Sequence, residues 1–412
     1  MARPYLISGI DIGNSQVKVV IARVGDSLRP EILGTGSAIS EGLRRGMVVD
    51  MKETIDNIGS AVQQATAMAG TQIKKAFVAV NGLHIKTQIS RGVIAVARAD
   101  NEISQNDIER VIQAASVVSM PANREMIHVI PRNFIIDGTE YVKNPLGMKG
   151  VRLEVDAMII DGLSPYLRNI AKCVNENDIE LAGLVYAPLA ASLSSLDKRQ
   201  KEHGVINLDF GGGTSTLTVF EEADLIHSAV IPIGSEYITK DLAVALRTSL
   251  DIAERIKLEH CSTSNMEDLR KKEDIDLSDI IGEENFIVPK KQLVKVVDAR
   301  VGDLLDIVES ELKKISKSGI LPAGIVLSGG GSNLPGFAFM VKDKLRLPVK
   351  IAEPFGFDGA NGIVGDPSFA VAVGLVLWGA EKEFGGQKQK IYVGGRNGIV
   401  SKITDWLENF LP

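Results

Sequence analysis

A short pattern of residues occurs twice in this chain, about 200 residues apart. Each copy consists of an apolar run, an aspartate, a glycine loop, a hydroxyl residue and a second apolar run. The first copy contains Asp11, Gly13 and Ser15, and the second contains Asp209 and residues 211–215. Because β-branched residues dominate the flanking runs, each copy predicts a strand, a tight loop and a second strand. One such unit in each half predicts a duplicated architecture.

Length and composition indicate a soluble globular protein with more than one domain. The chain has 412 residues, of which 45% are hydrophobic and 24% charged, whereas single domains usually have about 100–200 residues. A net charge of −6 argues against a broad nucleic-acid surface, which would need a basic excess. Cys173 and Cys261 are the two cysteines, too few for a disulfide framework or a zinc site. A reducing, cytoplasmic setting is expected.

No membrane-spanning or leader segment is expected from the sequence. The first residues lack the charged, apolar and cleavage regions of a signal peptide. No apolar run approaches the roughly 18–20 residues of a transmembrane helix.

Several local signals predict where helices begin and end. Asp50 and Ser104 are predicted N-caps, each with an acidic residue three positions later. Residues 290–317 predict one long helix, residues 261–284 an irregular segment, and the charged residues 197–203 a boundary between lobes.

Two glycine loops that face each other would form a clamp for phosphate groups. Glycine is needed because a Cβ atom would keep the backbone amides from closing on phosphate oxygens. Hydroxyl groups and a lysine could add donors and charge, and the two aspartates could hold Mg2+ through its waters. The predicted set is Asp11, Gly13, Asn14, Ser15, Lys18, Asp209, Gly211, Gly212, Gly213, Thr214 and Ser215. The simpler alternative, that each loop is an ordinary hairpin, is weakened by the repetition.

A third glycine loop follows a later strand. It comprises Gly329, Gly330, Gly331, Ser332 and Asn333, and it could let an adenine ring or ribose lie against the backbone. Glu254 and Lys257 are three residues apart on a predicted helix, so they share a face and could bracket the ribose and base. An ordinary strand-to-helix turn and a surface ion pair are the alternatives. No GxxxxGK[ST] or GxGxxG nucleotide motif occurs in the chain.

Five segments resemble, in the same order, the nucleotide site of the superfamily of actin, sugar kinases and heat-shock ATPases: residues 11–18, 184–196, 209–215, 329–333 and 366–379. Within it, the chain is similar over nearly its whole length to the FtsA family of bacterial cell-division proteins. Residues 204–214, 232–236, 238–243 and 324–331 carry that similarity. It implies an α/β, actin-like, two-lobed fold with duplicated RNase H-like subdomains and an FtsA-type inserted subdomain in the first lobe. It also places Gly234 in the nucleotide site.

The resemblance implies a division of the chain into subdomains. Residues 1–83 and 164–196 would form the first-lobe core, against which a helix at 368–380 packs, and residues 84–163 the inserted subdomain. Residues 197–236 and 320–367 would form the second-lobe core, and residues 237–319 its smaller subdomain. Residues 381–398 are a linker of flexible composition.

The resemblance further implies a cell-division function. The chain would bind ATP with Mg2+, polymerise into filaments on the inner face of the cytoplasmic membrane, anchor FtsZ there and recruit later division proteins. The FtsZ C-terminal peptide would dock on the small subdomain, where Arg300, Lys291 and Lys295 offer charge for an acidic segment. A merely solvated helix face is the alternative for the lysines. Ala187 stands where related polymerases carry a Glu or Gln that orients the attacking water, so hydrolysis should be slow.

Residues 399–412 predict an amphipathic helix that binds membrane lipids. Ile399, Ile403, Trp406, Leu407, Phe410 and Leu411 fall on one face. Such a helix lies in the membrane interface, with Trp406 suited to the headgroup region. The alternative is that it packs back onto its own protein.

Three other functions are consistent with parts of the pattern. A sugar or acetate kinase would need an acid or base for the acceptor hydroxyl, and the sequence offers no convincing candidate. A pilus-assembly ATP-binding protein would lack the terminal amphipathic helix. A heat-shock chaperone would need a substrate domain, for which no residues remain.

Overall fold

The computed structural model describes residues 5–25, 29–118, 120–263, 273–282, 285–359 and 362–384. The strands are β1 (Tyr5–Ile12), β2 (Gln16–Val24), β3 (Pro30–Ile39), β4 (Leu43–Arg44), β5 (Met47–Val48), β6 (Lys75–Val80), β7 (Lys86–Ala95), β8 (Arg124–Ile136), β9 (Glu140–Val142), β10 (Arg152–Leu163), β11 (Glu180–Tyr186), β12 (Val205–Phe210), β13 (Ser215–Glu221), β14 (Asp224–Ile231), β15 (Asp274–Asp276), β16 (Ile287–Pro289), β17 (Ile325–Ser328), β18 (Val349–Ile351) and β19 (Asp358–Gly359). The α-helices are α1 (Met51–Ala69), α2 (Gln105–Ser116), α3 (Ser164–Asn175), α4 (Ala187–Ser195), α5 (Lys198–His203), α6 (Glu236–Leu246), α7 (Leu250–His260), α8 (Ser278–Ile281), α9 (Lys290–Lys314), α10 (Phe337–Leu345) and α11 (Ala370–Phe384).

Two sheets repeat one topology of five strands, to which the first sheet adds β19. The first has the order β11-β6-β1-β2-β3-β19 and the second the order β14-β13-β12-β17-β18. In each, three antiparallel strands (β1-β2-β3 and β12-β13-β14) are followed by a strand parallel to the first of them (β6 and β17). A further parallel strand, β11 or β18, completes the set. The duplication predicted from the two Asp-Gly loops is therefore present in strand order and direction.

Helix α11 follows the second sheet in the chain but packs on the first. Its Gly374 lies so close to α4 that a Cβ atom would be 1.8 Å from the Ala190 carbonyl oxygen. Gly9 of β1 faces it in turn, because a Cβ there would be 2.7 Å from Leu375 Cβ. Small residues thus let a helix distant in sequence close one face of the first sheet.

The part of the chain between β6 and α3 forms a separate layer. Strands β7, β10, β8 and β9 form a four-stranded sheet in that order. Helix α2 covers it, and Ile108, Val111 and Phe134 lie in a core of their own. Ser104 caps α2 in a reciprocal capping box with Asp107, which confirms the predicted helix start. Asp50 likewise caps α1 by accepting from the Glu53 backbone.

Some predictions of local structure were wrong or incomplete. Within the charged stretch 197–203, residues 198–203 form the helix α5, capped by Asp197 and Gln200, which was not predicted. That this stretch is a boundary between lobes stays a prediction. The segment expected to be irregular contains β15 and α8 within its described part, and the long helix ends at Lys314. Strands β3 and β7 were not predicted, because Gly34 and Gly36 lower the strand signal in β3 and most of β7 is exposed.

Among the described residues, no helix combines the length and hydropathy needed to cross a bilayer. The predicted amphipathic helix at 399–412, and most of the predicted linker, lie outside the described residues.

Candidate functional site

The two Asp-Gly loops share one turn geometry. In the first, the Gly13 amide donates to the Gln16 carbonyl over 3.1 Å, and in the second the Gly211 amide donates to the Thr214 carbonyl over 3.1 Å. A Cβ at Gly13 would lie 2.7 Å from the Gln16 oxygen, and one at Gly211 would lie 2.8 Å from the Thr214 oxygen. Glycine is therefore required at the first position of each loop by the turn itself.

The loops also touch each other between the two sheets. A Cβ at Gly212 would lie 1.9 Å from Ser15 Oγ, and one at Gly213 would lie 2.4 Å from Asn14 Nδ2. Asn14 is held in turn, since its Oδ1 accepts from the Gly46 amide at 2.8 Å. The close approach leaves no room for side chains at Gly212 and Gly213.

Further contacts join the two halves around these loops. Ser15 Oγ lies 3.4 Å from Glu236 Oε1, and Asn81 Nδ2 lies 3.4 Å from Thr214 Oγ1. The Arg45 guanidinium donates to the Tyr237 hydroxyl and lies 5.6 Å from the centre of its ring.

Lys18 supplies positive charge among three carboxylates. It pairs in register with Asp11 across the β1–β2 hairpin, is 8% exposed, and its Nζ lies 5.6 Å from the centre of the Phe369 ring. Burial lowers the Lys18 pKa, while Asp11, Asp209 and Asp366 raise it.

The pKa values of Asp11 and Asp209 are shifted by the same environment. Burial raises the pKa of Asp11 to about 7, with Lys18 opposing and Asp209 adding to the rise. Burial also raises the pKa of Asp209, against the hydrogen bond from Ser328 and the charge of Lys18. Ionised carboxylates are costly here, so the site favours a bound cation beside them. In the described part of the chain, no group of three or more His, Cys, Asp or Glu side chains is arranged to hold a metal ion.

Residues 234–236 support the second loop. A Cβ at Gly234 would lie 2.1 Å from the Gly212 carbonyl oxygen. The Ser235 and Glu236 amides donate to the Gly211 and Gly212 carbonyls, each over 2.9 Å. Ser215 is fully buried, and its hydroxyl donates to the Ile233 carbonyl over 2.6 Å. That proton is engaged inside the protein, so the geometry does not support the prediction of Ser215 as a hydroxyl donor to phosphate.

The third glycine loop packs against the second. Gly329 has φ +82°, and its Cβ would lie 2.6 Å from the Phe210 carbonyl oxygen, while one at Gly331 would lie 2.5 Å from the Phe210 ring. Gly330 is open, its nearest neighbour being Ser368 Cβ at 3.7 Å. Two of the three glycines are therefore explained by packing within the protein.

Polar groups fix the end of this loop. Ser332 Oγ donates to the Ser328 carbonyl over 2.5 Å, and Asn333 Nδ2 donates to Asp366 Oδ2 over 2.9 Å. Asp366 also caps the short 3-10 helix Pro367–Phe369 through the Ser368 amide.

Glu254 and Lys257 form an ion pair with each other, with Lys257 Nζ 2.7 Å from Glu254 Oε2. Lys257 is 8% exposed and also donates to Thr239 Oγ1 at 3.0 Å and to the Ser235 carbonyl at 3.5 Å. The Ser235 contact places Lys257 beside the residues that support the second loop. That the pair brackets a ribose and base stays a prediction.

The three residues predicted to bind an acidic partner lie on α9. Lys291 and Lys295 are exposed. Arg300 is half-buried, and its guanidinium holds both Asp241 oxygens, at 2.7 and 3.0 Å, and Asp303 at 3.1 Å. Arg300 is thus already paired with two carboxylates. The six residues predicted to bind membrane lie outside the described residues.

Sequence reasoning did not single out several polar residues of this site as individual contacts: Asn81, Glu236, Ser328 and Asp366. The last three do lie in segments that carry the resemblance to the family. Asp366 carries a local signal, because Asp before Pro-Ser is typical of a helix N-cap. The contacts of the other three have no signal in the sequence near them, since their partners are more than 100 positions away.

Comparisons with known proteins agree with this architecture. A family model described as "SHS2 domain inserted in FTSA" matches residues 82–161, and one described as "Cell division protein FtsA" matches residues 206–374. The cell division protein FtsA of Bacillus subtilis is 37% identical over 372 residues, covering 90% of this chain and 82% of the relative. That of Pseudomonas aeruginosa is 34% identical over 387 residues, covering 94% and 92%.

Solved structures show the fold. The PilM–PilN type IV pilus biogenesis complex superposes with a TM-score of 0.66 at 17% identity, covering 91% of this chain and 98% of that one. MreB5 of Spiroplasma citri bound to ADP gives a TM-score of 0.53 at 15% identity, covering 90% and 95%. These likenesses confirm the predicted actin-like fold, and the sequence relatives set aside the kinase, pilus-assembly and chaperone alternatives. The chain belongs to the FtsA family of cell division proteins.

Proposed function

We propose that this chain is an ATP-binding division protein that polymerises on the inner face of the cytoplasmic membrane at the division site. There it anchors FtsZ filaments and recruits later division proteins. The observation that carries the proposal is the contact between two equivalent glycine loops, Gly212 and Gly213 against Ser15 and Asn14, beside Asp11, Lys18 and Asp209.

The residues fit a nucleotide with a divalent cation. Backbone amides at side-chain-free positions, with Ser15, Thr214 and Lys18, would hold the phosphate groups. Asp11 and Asp209 would hold Mg2+ through its waters, since Mg2+ prefers oxygen ligands and keeps much of its hydration. When bound, Mg2+ supplies positive charge that offsets phosphate and carboxylate together. Gly330, which has open space beside it, is the position of the third loop best suited to the adenosine.

ATP acts in this proposal mainly as a structural ligand and filament switch. Ala187 is the first residue of α4 and is buried. Its methyl group offers no means of orienting an attacking water, so hydrolysis is slow at most. A nucleotide held by loops from both halves would favour the closed arrangement by binding it better.

Membrane attachment is assigned to residues 399–412, and FtsZ binding to the small subdomain of the second lobe. A single short amphipathic helix binds weakly, so filaments that present many copies would give firm attachment. Lys291 and Lys295 would meet acidic groups of the FtsZ C-terminal peptide. Arg300 would have to exchange Asp241 or Asp303 for the peptide.

Liposome co-sedimentation of the full chain and of a chain ending at Gly398, with and without Mg-ATP, tests the proposal. We expect the full chain to pellet with lipid, more so with Mg-ATP, and the shortened chain to stay in solution. A Trp406→Ala variant should fall between them. If the full chain stays in solution under all conditions, the membrane-anchor function is wrong.

A further inference from the structure

Asn207 is a buried polar residue whose amide is only partly satisfied. It lies in β12, two residues before Asp209, and is 2% exposed. Its Oδ1 lies 2.9 Å from Ser328 Oγ, and its Nδ2 has no hydrogen-bond partner within the described part of the chain. A buried amide donor without an acceptor costs free energy, so such a group calls for an explanation.

The Ser328 hydroxyl has two oxygen neighbours and one proton. Its Oγ lies 2.9 Å from Asn207 Oδ1 and 2.9 Å from Asp209 Oδ2. When Asp209 is ionised, both neighbours are acceptors, so one of the two contacts lacks a hydrogen. A rotation of the Asn207 amide by 180° exchanges its oxygen and nitrogen, which are interchangeable assignments. Asn207 then donates to Ser328, and Ser328 donates to Asp209. The amide position without a partner among the described residues then holds the oxygen in place of the NH2 group.

We propose that Asn207 and Ser328 are positioning residues that fix the Asp209 carboxylate through this chain of two hydrogen bonds. The proposal rests on the proposed function, in which Asp209 orders waters of a nucleotide-bound Mg2+. All three residues lie on paired strands, because β12 and β17 run parallel with Asp209 opposite Ser328. Ser328 is fully buried, which keeps water from replacing either hydrogen bond. Rigid support of this kind holds a ligand group in one geometry before its ligand arrives.

Equilibrium binding of ATP to the full chain tests the proposal, once with Mg2+ and once with EDTA. Ser328→Ala should weaken Mg-ATP binding about tenfold, as expected for a lost hydrogen bond to a charged group. It should change binding in EDTA less than about twofold, because Asp209 then has no cation to order. Asn207→Leu should show the same pattern with a smaller effect. Ser194→Ala is the matched control, since that buried hydroxyl donates to the Ala191 and Ala370 carbonyls and not to the Asp209 carboxylate.

A double-mutant cycle separates positioning from general damage. In an Asp209→Asn background, Ser328→Ala should change Mg-ATP binding less than about twofold, because the group through which it acts is gone. A full effect in that background, an equal effect with EDTA, or an effect no larger than that of Ser194→Ala would overturn the proposal.

Failure of ATP binding in the unmodified chain would refute the proposed function instead. The two hydrogen bonds can then be tested without nucleotide. Urea unfolding gives the free energy of unfolding of Asn207→Leu, of Ser328→Ala and of the double variant. If the stability lost in the double variant differs from the sum of the two single losses, the two residues are coupled and the proposed hydrogen bonds are supported. If the losses are additive, the proposal is wrong.

Discussion

Lys18 and Asp11 show how individual side chains set the chemistry of the cleft. The charges of Asp11, Asp209 and Asp366 all raise the pKa of Lys18, and the last two come from the second half of the sequence. With three carboxylates and one lysine, the cluster has excess negative charge, which a divalent cation would offset. Because burial raises the pKa of Asp11 to about 7, the charge of the nucleotide-free site changes near neutral pH.

Asp11 should make the free energy of unfolding depend on pH when nucleotide and metal are absent. Its folded pKa of about 7 lies above the ordinary value of 3.8, so the folded chain binds more protons between those limits. Stability should therefore fall as pH rises from about 4 to about 7 and be level above that. The full shift corresponds to at most about 4 kcal/mol, and partial exposure of the carboxylate reduces it.

Urea unfolding in EDTA at a series of pH values measures this effect. Asp11→Asn should match the unmodified chain near pH 4 and be more stable near pH 8. If the free energy of unfolding changes with pH to the same extent in both chains, Asp11 is not the cause of the pH dependence.

Gly234 should be intolerant of even one methyl group. A Cβ there meets the backbone of Gly212 and Gly213 at 2.1 to 2.7 Å, and no rotamer change relieves a backbone contact. Gly234→Ala should cost about 1–3 kcal/mol of stability and weaken ATP binding at least about tenfold, because the second loop must shift. Gly25→Ala, where a Cβ meets no atom of the described residues within 4 Å, is the control. Equal ATP binding by both variants would contradict the role of Gly234.

At the scale of elements, α11 links the candidate site to the first sheet. The 3-10 helix before it carries Asp366 and Phe369 to the site, and the helix itself packs on α4 and the first sheet. Gly374 sets the spacing of α11 and α4, since its Cβ would be 1.8 Å from the Ala190 oxygen. The position of the helix, and with it that of Asp366, depends on this close approach.

The same substitution should have opposite effects in two helices. Gly374→Ala in α11 should destabilise the chain by about 1–3 kcal/mol, because overpacking against a backbone oxygen outweighs the gain in helix propensity. Gly302→Ala in α9 should stabilise it by up to about 1 kcal/mol, because among the described residues a Cβ there meets only Met340 Cε, at 4.0 Å. Thermal and urea unfolding measure both. Stabilisation by both substitutions would contradict the packing of α11 on α4.

For the molecule as a whole, the contacts between the halves define a closed arrangement. Ser15 with Glu236, Asn81 with Thr214 and Arg45 with Tyr237 join residues of the first half to residues of the second. Contacts of 3.4 Å are weak on their own. A ligand bound by loops of both halves would therefore add substantially to their association.

Mg-ATP should stabilise the whole chain by mass action. At a concentration one hundred times its dissociation constant, a ligand that binds only the folded state adds about 2.7 kcal/mol. Thermal unfolding should shift upward, and hydrogen exchange should slow at the amides of residues 13–16 and 211–214 together. Protection of one loop without the other would show that the nucleotide does not bridge the halves.

How far the sequence predicts this protein depends on the range of each interaction. The capping box of Ser104 and Asp107 was predicted because both residues lie within one helical turn. The strands β3 and β7 were missed because glycines admit the backbone of α1 in β3 and exposure removes the apolar pattern in β7. The sequence predicts the glycines of the third loop as ligand contacts, which stays a prediction, and it gives no sign that Gly329 and Gly331 also make room for Phe210.

The sequence by itself determined the duplicated Asp-Gly hairpins, because turn geometry and strand patterning are set by neighbours a few positions apart. It also determined the family, because similarity to cell division proteins extends along the chain. Only the tertiary structure decided that Asp366 joins Lys18, that Lys257 contacts the Ser235 carbonyl beside the second loop, and that Asn207 and Ser328 lie beside Asp209. These groupings join residues up to several hundred positions apart, and packing of whole elements, which no local pattern encodes, brings them together.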